Sequence, residues 1–388
     1  MSEIKSNIKG LKIDPVKFTG IISMLVLILI LFRFTVFSFG ISTQITGGIA
    51  IGLALLCFIV IFIIDKSVQK LILLPLICAL TIFINSAVHR FEFHRGVIFI
   101  TFLSLLFFMY LFTNLNKKYS RWTINTMMGY TVFMAAAGLI FSVFGITHFL
   151  GFRVGTPSEY GFRSPSVFFS SGSYIGFFAT FMLAVIFLSK KFSPKYFLIG
   201  CLLFLMLVLS SNRTALFGLI LILFLYILYS KKISVPYKFF SLFIFLLFTA
   251  IFLFLWYNSL YNYKSPDSGR ILLIAKAMKL VKEGFFFGAG NLMIDSKTHI
   301  AQLHNMYLAI IGEFGIFVLL AYLWYLIWFF RKSGKRGRII MLYLFVYGFF
   351  HPGFYIGFSE NFFLFLMVII YMNHYEREQE ATQVSSVN

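Results

Sequence analysis

Apolar runs follow one another along almost the whole chain, separated by short polar breaks. Twelve can be drawn, at residues 18–38, 41–64, 68–86, 97–113, 125–148, 167–189, 196–211, 214–230, 239–257, 304–330, 339–351 and 360–373. A helix needs roughly 20 residues to cross a hydrocarbon layer of about 30 Å, and several of these runs reach that length while others fall short of it. Backbone in lipid has to satisfy its own hydrogen bonds, which selects helices. The pattern therefore predicts an all-α integral membrane fold with about 12 transmembrane helices. Successive membrane helices pack as one bundle, so residues 1–388 are expected to form a single polytopic domain. The polar first 17 residues carry Lys5, Lys9, Lys12 and Lys17, and no small-residue cleavage pattern closes the apolar run behind them. That run reads as a retained first helix and not as a signal peptide.

Composition agrees: 60% of the 388 residues are hydrophobic and only 12% are charged, which excludes a soluble domain. A net charge of +20 would point a soluble protein towards nucleic acid. Here the positive charges fall in alternate breaks. With the N-terminus inside, every internal break is basic, as the positive-inside rule requires, so both termini are expected in the cytoplasm and no nucleic acid is implied. Cys57, Cys78 and Cys201 lie within apolar runs and suggest neither disulfides nor a thiolate metal site.

The kind of base differs between the two sides. Lysine predominates inside, whereas the outer set includes Arg33, Arg90, Arg95, Arg153, Arg163, Arg213 and Arg270, with the outer lysines confined to one loop. Topology needs only charge, which lysine supplies. Arginine adds a planar fork suited to phosphate or carboxylate, so the outer face is expected to meet an anionic ligand. Snorkelling to lipid phosphates accounts equally well for Arg33, Arg90 and Arg95. Arg213 is harder to explain that way, because LVLSSNRTALFGLI holds it in a turn of two or three residues between two apolar runs.

Two outer loops are long, residues 149–166 and 258–303, and function is expected where a bundle invests in such loops. The first places Arg153, Glu159 and Arg163 among glycines, serines and prolines, whose turns bring backbone donors and guanidiniums together. The second is a large extracytoplasmic loop containing SPDSGRILLIAKAMKLVKEGFFFGAGN. Asp267 or Ser268 can cap a helix starting near Arg270, and Gly284 can end it. Ile271, Ile274, Met278 and Val281 share one face of that helix and Lys276, Lys279 and Lys282 the other, the pattern of an amphipathic helix at a membrane surface. Arg270 stands at its N-terminus, where the dipole already favours an anion. His304 and Asn305 then open the tenth run. Glu313 lies nine residues after His304, opposite it on a straight helix, so it is expected as a buried partner for an arginine unless Gly312 or Gly315 distorts the turn.

Taken together, these segments resemble the O-antigen polymerase and ligase family of the Wzy type over about residues 150 to 330. LSSNRTALFGLI is similar to the family's Ser-Arg turn, GRILLIAKAMKLVKEGFFFGAGN to its arginine-led helix ending in G-x-G, and LHNMYLAIIGEFGIF to its H-N-x-Y-L segment with a following E-x-G. Asn212 stands where serine is usual, so in that turn only the arginine carries over, and the N-terminal third shows no matching motif. The resemblance implies a GT-C-like bundle and a membrane glycosyltransferase that uses undecaprenyl-pyrophosphate-linked glycans as donor and acceptor within the lipid bilayer. Arg213, Arg270 and Arg163 are then expected on the pyrophosphate, and His304 near the acceptor hydroxyl as general base or positioner. Arg153, Asn305, Tyr307 and Glu313 complete the expected substrate site. No outer D-x-D pair is present, only the isolated Asp267 and Asp295, so neither metal nor other cofactor is expected. A chain-length regulator and a flippase are the partner proteins such an enzyme implies.

Two other readings fit parts of the pattern. A ligase moves a finished glycan to another acceptor with the same donor chemistry. A flippase predicts ionisable residues inside the helices and repeat-related broken helices, yet runs 41–64, 97–113 and 239–257 hold no acidic, basic or histidine side chain and no internal repeat is visible.

Overall fold

A computed structural model describes residues 14–36, 65–88, 95–149, 172–189, 193–230 except 211, 233–261, 305–349 and 360–385, with parts of 49–63, 152–165 and 278–288. Eleven α-helices run through these residues: α1 Pro15–Val36, α2 Leu73–Val88, α3 Arg95–Asn114, α4 Lys117–Val143, α5 Gly172–Ser189, α6 Pro194–Leu209, α7 Arg213–Tyr229, α8 Val235–Tyr261, α9 Met306–Lys332, α10 Lys335–Tyr347 and α11 Glu360–Ser385. Each coincides with one of the apolar runs, so the all-α expectation holds. Among the described residues, α4 and α9 are long and apolar enough to cross a membrane, and several of the others are apolar but shorter.

The polar breaks start helices as well as separating them. Asp14 accepts from Val16 N at 3.0 Å, Asn116 from Lys118 N at 2.9 Å and Ser193 from Tyr196 N at 3.4 Å, the last ahead of Pro194 in the first turn. Such side chains satisfy N–H groups that the helix itself leaves unpaired. Lys66–Leu71 forms a 3-10 turn ahead of α2, so the third run becomes helical later than its hydropathy suggests.

One departure from pure helix lies in the segment between α4 and α5. His148–Phe149 (β1) pairs antiparallel with Phe152–Arg153 (β2), and Gly155–Pro157 (β3) with Arg163–Pro165 (β4). Outside the helices, short ladders are a way for the loop to pair its backbone groups.

The core forms around α11. From Phe362 to Met372 every side chain is almost completely buried, with Phe363 through Ile369 at 0% exposure, so this helix is apolar all round because neighbours enclose it. It packs on α3, α4, α5 and α10. Phe365 meets Phe181 edge-on at 4.2 Å between ring centres, and Phe177, Tyr343 and Tyr347 extend the aromatic cluster across α5 and α10. Peripheral α8 packs on α7 and exposes Phe239, Phe240, Phe243 and Phe254, the distribution expected of a lipid-facing helix.

Basic breaks far apart in sequence meet at one end of the bundle. Glu378, on the polar extension of α11, pairs with Lys117 and with Arg121 (2.6 Å) at the start of α4. In the α9–α10 turn, Gly334 N donates to Asn373 Oδ1 (2.9 Å), and Arg336 donates to Gln379 (2.8 Å) and lies over the Tyr375 ring. His374 hydrogen-bonds Leu115 O at 3.0 Å. Three of the breaks assigned from charge to one side, around Lys117, Arg336 and His374, thus meet.

Candidate functional site

The turn that carries Arg213 is short, as its spacing indicates. α6 ends at Leu209, Ser210 Oγ donates back to Leu207 O (2.7 Å), and α7 begins at Arg213 itself. Asn212 is the cap, its Oδ1 accepting from Ala215 N at 3.0 Å. Asparagine at this place is therefore doing the work of a serine, because either oxygen can cap a helix. Arg213 occupies the first helical position, where unpaired N–H groups and the dipole favour an anion. Gly176 near the start of α5 lies against Ser210 and Asn212, and Thr180 donates to Ala215 O at 3.0 Å, so α5 fixes the turn from the side.

Arg153 closes β2 opposite His148, and Arg163 opens β4 opposite Pro157. β4 packs against α4 and α6, and the same α6 leads into the Arg213 turn. The two arginine-bearing elements are thereby neighbours of one helix.

Asn305 caps α9, its Oδ1 accepting from Leu308 N at 3.0 Å. Tyr307 donates its hydroxyl to Phe345 O (2.6 Å), its ring lies 4.6 Å from Phe349, and Met306 N donates to Gly348 O (2.8 Å). These contacts pin the start of α9 to the end of α10. Glu313 is buried at 4% exposure in the second turn of the same helix. A carboxylate at that depth requires compensation, which makes it a structural commitment of the site.

α9 is not straight. Gly315 has φ +82° and ψ 175°, a conformation open in practice to glycine alone, and it divides the helix two residues after Glu313. The turn Gly284–Gly288 docks into this break. Ile316 N donates to Phe285 O at 2.9 Å, and Gly288, with φ +70°, lies directly against the Glu313 and Phe314 backbone. A Cβ at either glycine would overlap backbone atoms of the other segment. The glycines of the G-x-G and E-x-G segments are therefore parts of one close approach of two backbones. Just before the turn, Val281 is buried and Lys279 and Lys282 are exposed, but Met278, expected on the apolar face with Val281, is exposed as well. His304, Arg270, Glu159 and most of 258–303 lie outside the described residues, as do the side chains of Arg153, Arg163 and Arg213.

Asn85 of α2 joins this junction, and the sequence reading missed it. Its amide donates to Phe287 O and, at 3.0 Å, to Phe314 O. The signal available was a lone amide within TIFINSAV, since a polar side chain in an apolar membrane run has to find a partner.

Residues 198–323 match the family model described as O-antigen ligase, Wzy_C. The match supports the O-antigen polymerase and ligase family, whose members are membrane glycosyltransferase-like enzymes. It spans about a third of the chain, from α6 through the Arg213 turn and the long loop to the kink in α9. No curated protein matches the chain.

Proposed function

We propose that this chain, matched to the O-antigen ligase family over 198–323, is a polysaccharide polymerase of the bacterial plasma membrane, a GT-C-like bundle of about twelve spans with both termini in the cytoplasm. It joins undecaprenyl-pyrophosphate-linked repeat units at the outer face to make a capsule, exopolysaccharide or O-antigen. The observation that carries the reading is the alignment of the three motif segments with structural joints inside the matched region: a capped helix led by Arg213, and the docking of the 284–288 turn into the α9 kink at Gly315.

In the reaction, a hydroxyl oxygen of the acceptor sugar attacks C1 of the donor sugar. The C1–O bond to pyrophosphate breaks with its electron pair remaining on the phosphate oxygen, inverting the anomeric centre. His304 accepts the hydroxyl proton or orients the hydroxyl, and undecaprenyl pyrophosphate leaves. Negative charge accumulates on the pyrophosphate as the bond breaks, and Arg213, Arg270 and Arg163 stabilise it at a boundary of low dielectric without a metal. Arg153, Asn305, Tyr307 and Glu313 shape the sugar site.

The test is incubation of purified protein with a synthetic undecaprenyl-pyrophosphate repeat unit and EDTA, with products resolved by length. A ladder that Arg213→Ala and His304→Ala both abolish, in folded protein, is the expected result. A ladder indifferent to both changes refutes the site. The description of the matched family favours a second reading, ligation, in which the donor glycan is transferred once to a different acceptor. Product attached to added acceptor, with no ladder, decides for it.

A further inference from the structure

We propose that Asn85 is a positioning residue for the transfer reaction: it clamps the 284–288 turn to the kinked helix α9 and so fixes the backbone that carries Glu313. This rests on the reading of the chain as a lipid-linked glycan transferase. Asn85 lies far upstream of the matched segment and does not belong to the three motif segments.

The kink sets up the need for the clamp. At Gly315 the regular helical ladder is interrupted, and the Ile316 N–H turns outward to Phe285 O. On the other side of the break, Phe314 O receives the Asn85 amide, which reaches Phe287 O at the same time. One side chain thus bridges the helix and the turn, using both protons of a single NH2 group. No other residue type of that length offers two donors and no charge.

Asn85 is 1% exposed and its Oδ1 has no partner among the described residues. Leaving a buried acceptor unpaired costs stability, so general packing is a poor reason for asparagine here. Geometry is a better one. Gly288, the last residue of the turn, lies against the Glu313 and Phe314 backbone, so the clamp bears directly on the segment of α9 that carries Glu313. A turn free to lift from α9 removes that support, and misplacement of a substrate-positioning group by about 1 Å can cost on the order of 100-fold in rate.

The experiment combines two readouts on full-length protein in detergent. Asn85→Asp keeps the shape and exchanges the donors for acceptors facing two carbonyls; Asn85→Ala removes both, and Asn85→Gln retains the NH2 group. Hydrogen exchange at residues 284–288 and Ile316 reads the clamp without reference to activity, and turnover of the synthetic lipid-linked repeat unit reads the consequence. Expected are faster exchange confined to that segment, with α11 unchanged, and a fall in kcat of about 10- to 100-fold for Asp and Ala with partial recovery for Gln. Unchanged exchange overturns the clamp. Faster exchange with full turnover in all three variants overturns the positioning role. If the wild type makes no product, the transferase reading fails while local exchange still decides whether Asn85 holds the turn.

Discussion

Gly315→Ala is the most demanding perturbation of the junction. The residue sits at φ +82° and ψ 175°, where an L side chain costs about 1–3 kcal/mol in backbone strain. Its Cβ would also meet Phe286 O and Gly288 N, backbone atoms that cannot rotate aside as a side chain can. The less costly escape is for the turn to lift away. That forfeits the Ile316 to Phe285 bond and the Asn85 bond to Phe287, each contributing about 0.5–1.5 kcal/mol, for a total of roughly 1–3 kcal/mol, while the Asn85 bond to Phe314 joins two helices and stays. Gly129→Ala in α4 and Gly200→Ala in α6 are the controls, because a Cβ at either meets open space. In mid-helix the added methyl is worth up to about 1 kcal/mol of stability. The assay is heat-induced aggregation in detergent with hydrogen exchange at 284–288. Gly315→Ala should aggregate at a clearly lower temperature and exchange faster in the turn, whereas the controls match or exceed the wild type. A Gly315→Ala protein as robust as Gly129→Ala would refute the reasoning.

Four further outcomes follow from the same structure. Gly218→Leu forces a side chain into the Tyr343 ring between α7 and α10 and should cost about 1–3 kcal/mol, seen as a lowered aggregation temperature; a neutral result would mean the two helices are not so close. Burial, reinforced by Arg377, Lys117 and Arg121, holds the His374 imidazole below its ordinary value of 6.5 against the opposing bond to Leu115. The folded state therefore resists protonation more than the unfolded one, stability is full above the ordinary histidine range and declines as pH falls below it, and His374→Gln should flatten that acid-side decline. The Lys117 and Arg121 pairs with Glu378 are partly exposed, so Glu378→Gln should cost less than about 1 kcal/mol and the difference should shrink in high salt; a large, salt-independent loss would contradict this. Arg213→Lys keeps the charge but loses the fork, and should leave polymerisation well below wild type yet measurable, whereas full activity would remove the case for bidentate pyrophosphate contact.

The helices were legible because an apolar run in lipid has only one local solution for its backbone, and that solution is intrinsic to the run. The Asn212 and Asn305 caps are local too, each acting on an N–H three residues away, although the sequence pattern does not single them out as caps. Charge predicts that the basic breaks share one side, and in the structure Lys117 and Arg121 meet Glu378 while Arg336 meets Gln379 on the same helix. The two short ladders in the 148–165 loop were less legible, since glycine, proline and serine announce turns without stating how the segments between them pair.

What the sequence determined by itself is therefore the set of local helices, together with an expectation of which side each break takes and of residue types suited to a pyrophosphate. The tertiary structure alone decided that Gly288 and Gly315 face each other and that Asn85, about 200 residues before the turn it holds, bridges them. A glycine motif states only that a side chain is excluded. It does not state what excludes it, and a lone amide does not name its partner. Those depend on which backbones approach, and helix packing sets that approach through contacts distant in the chain.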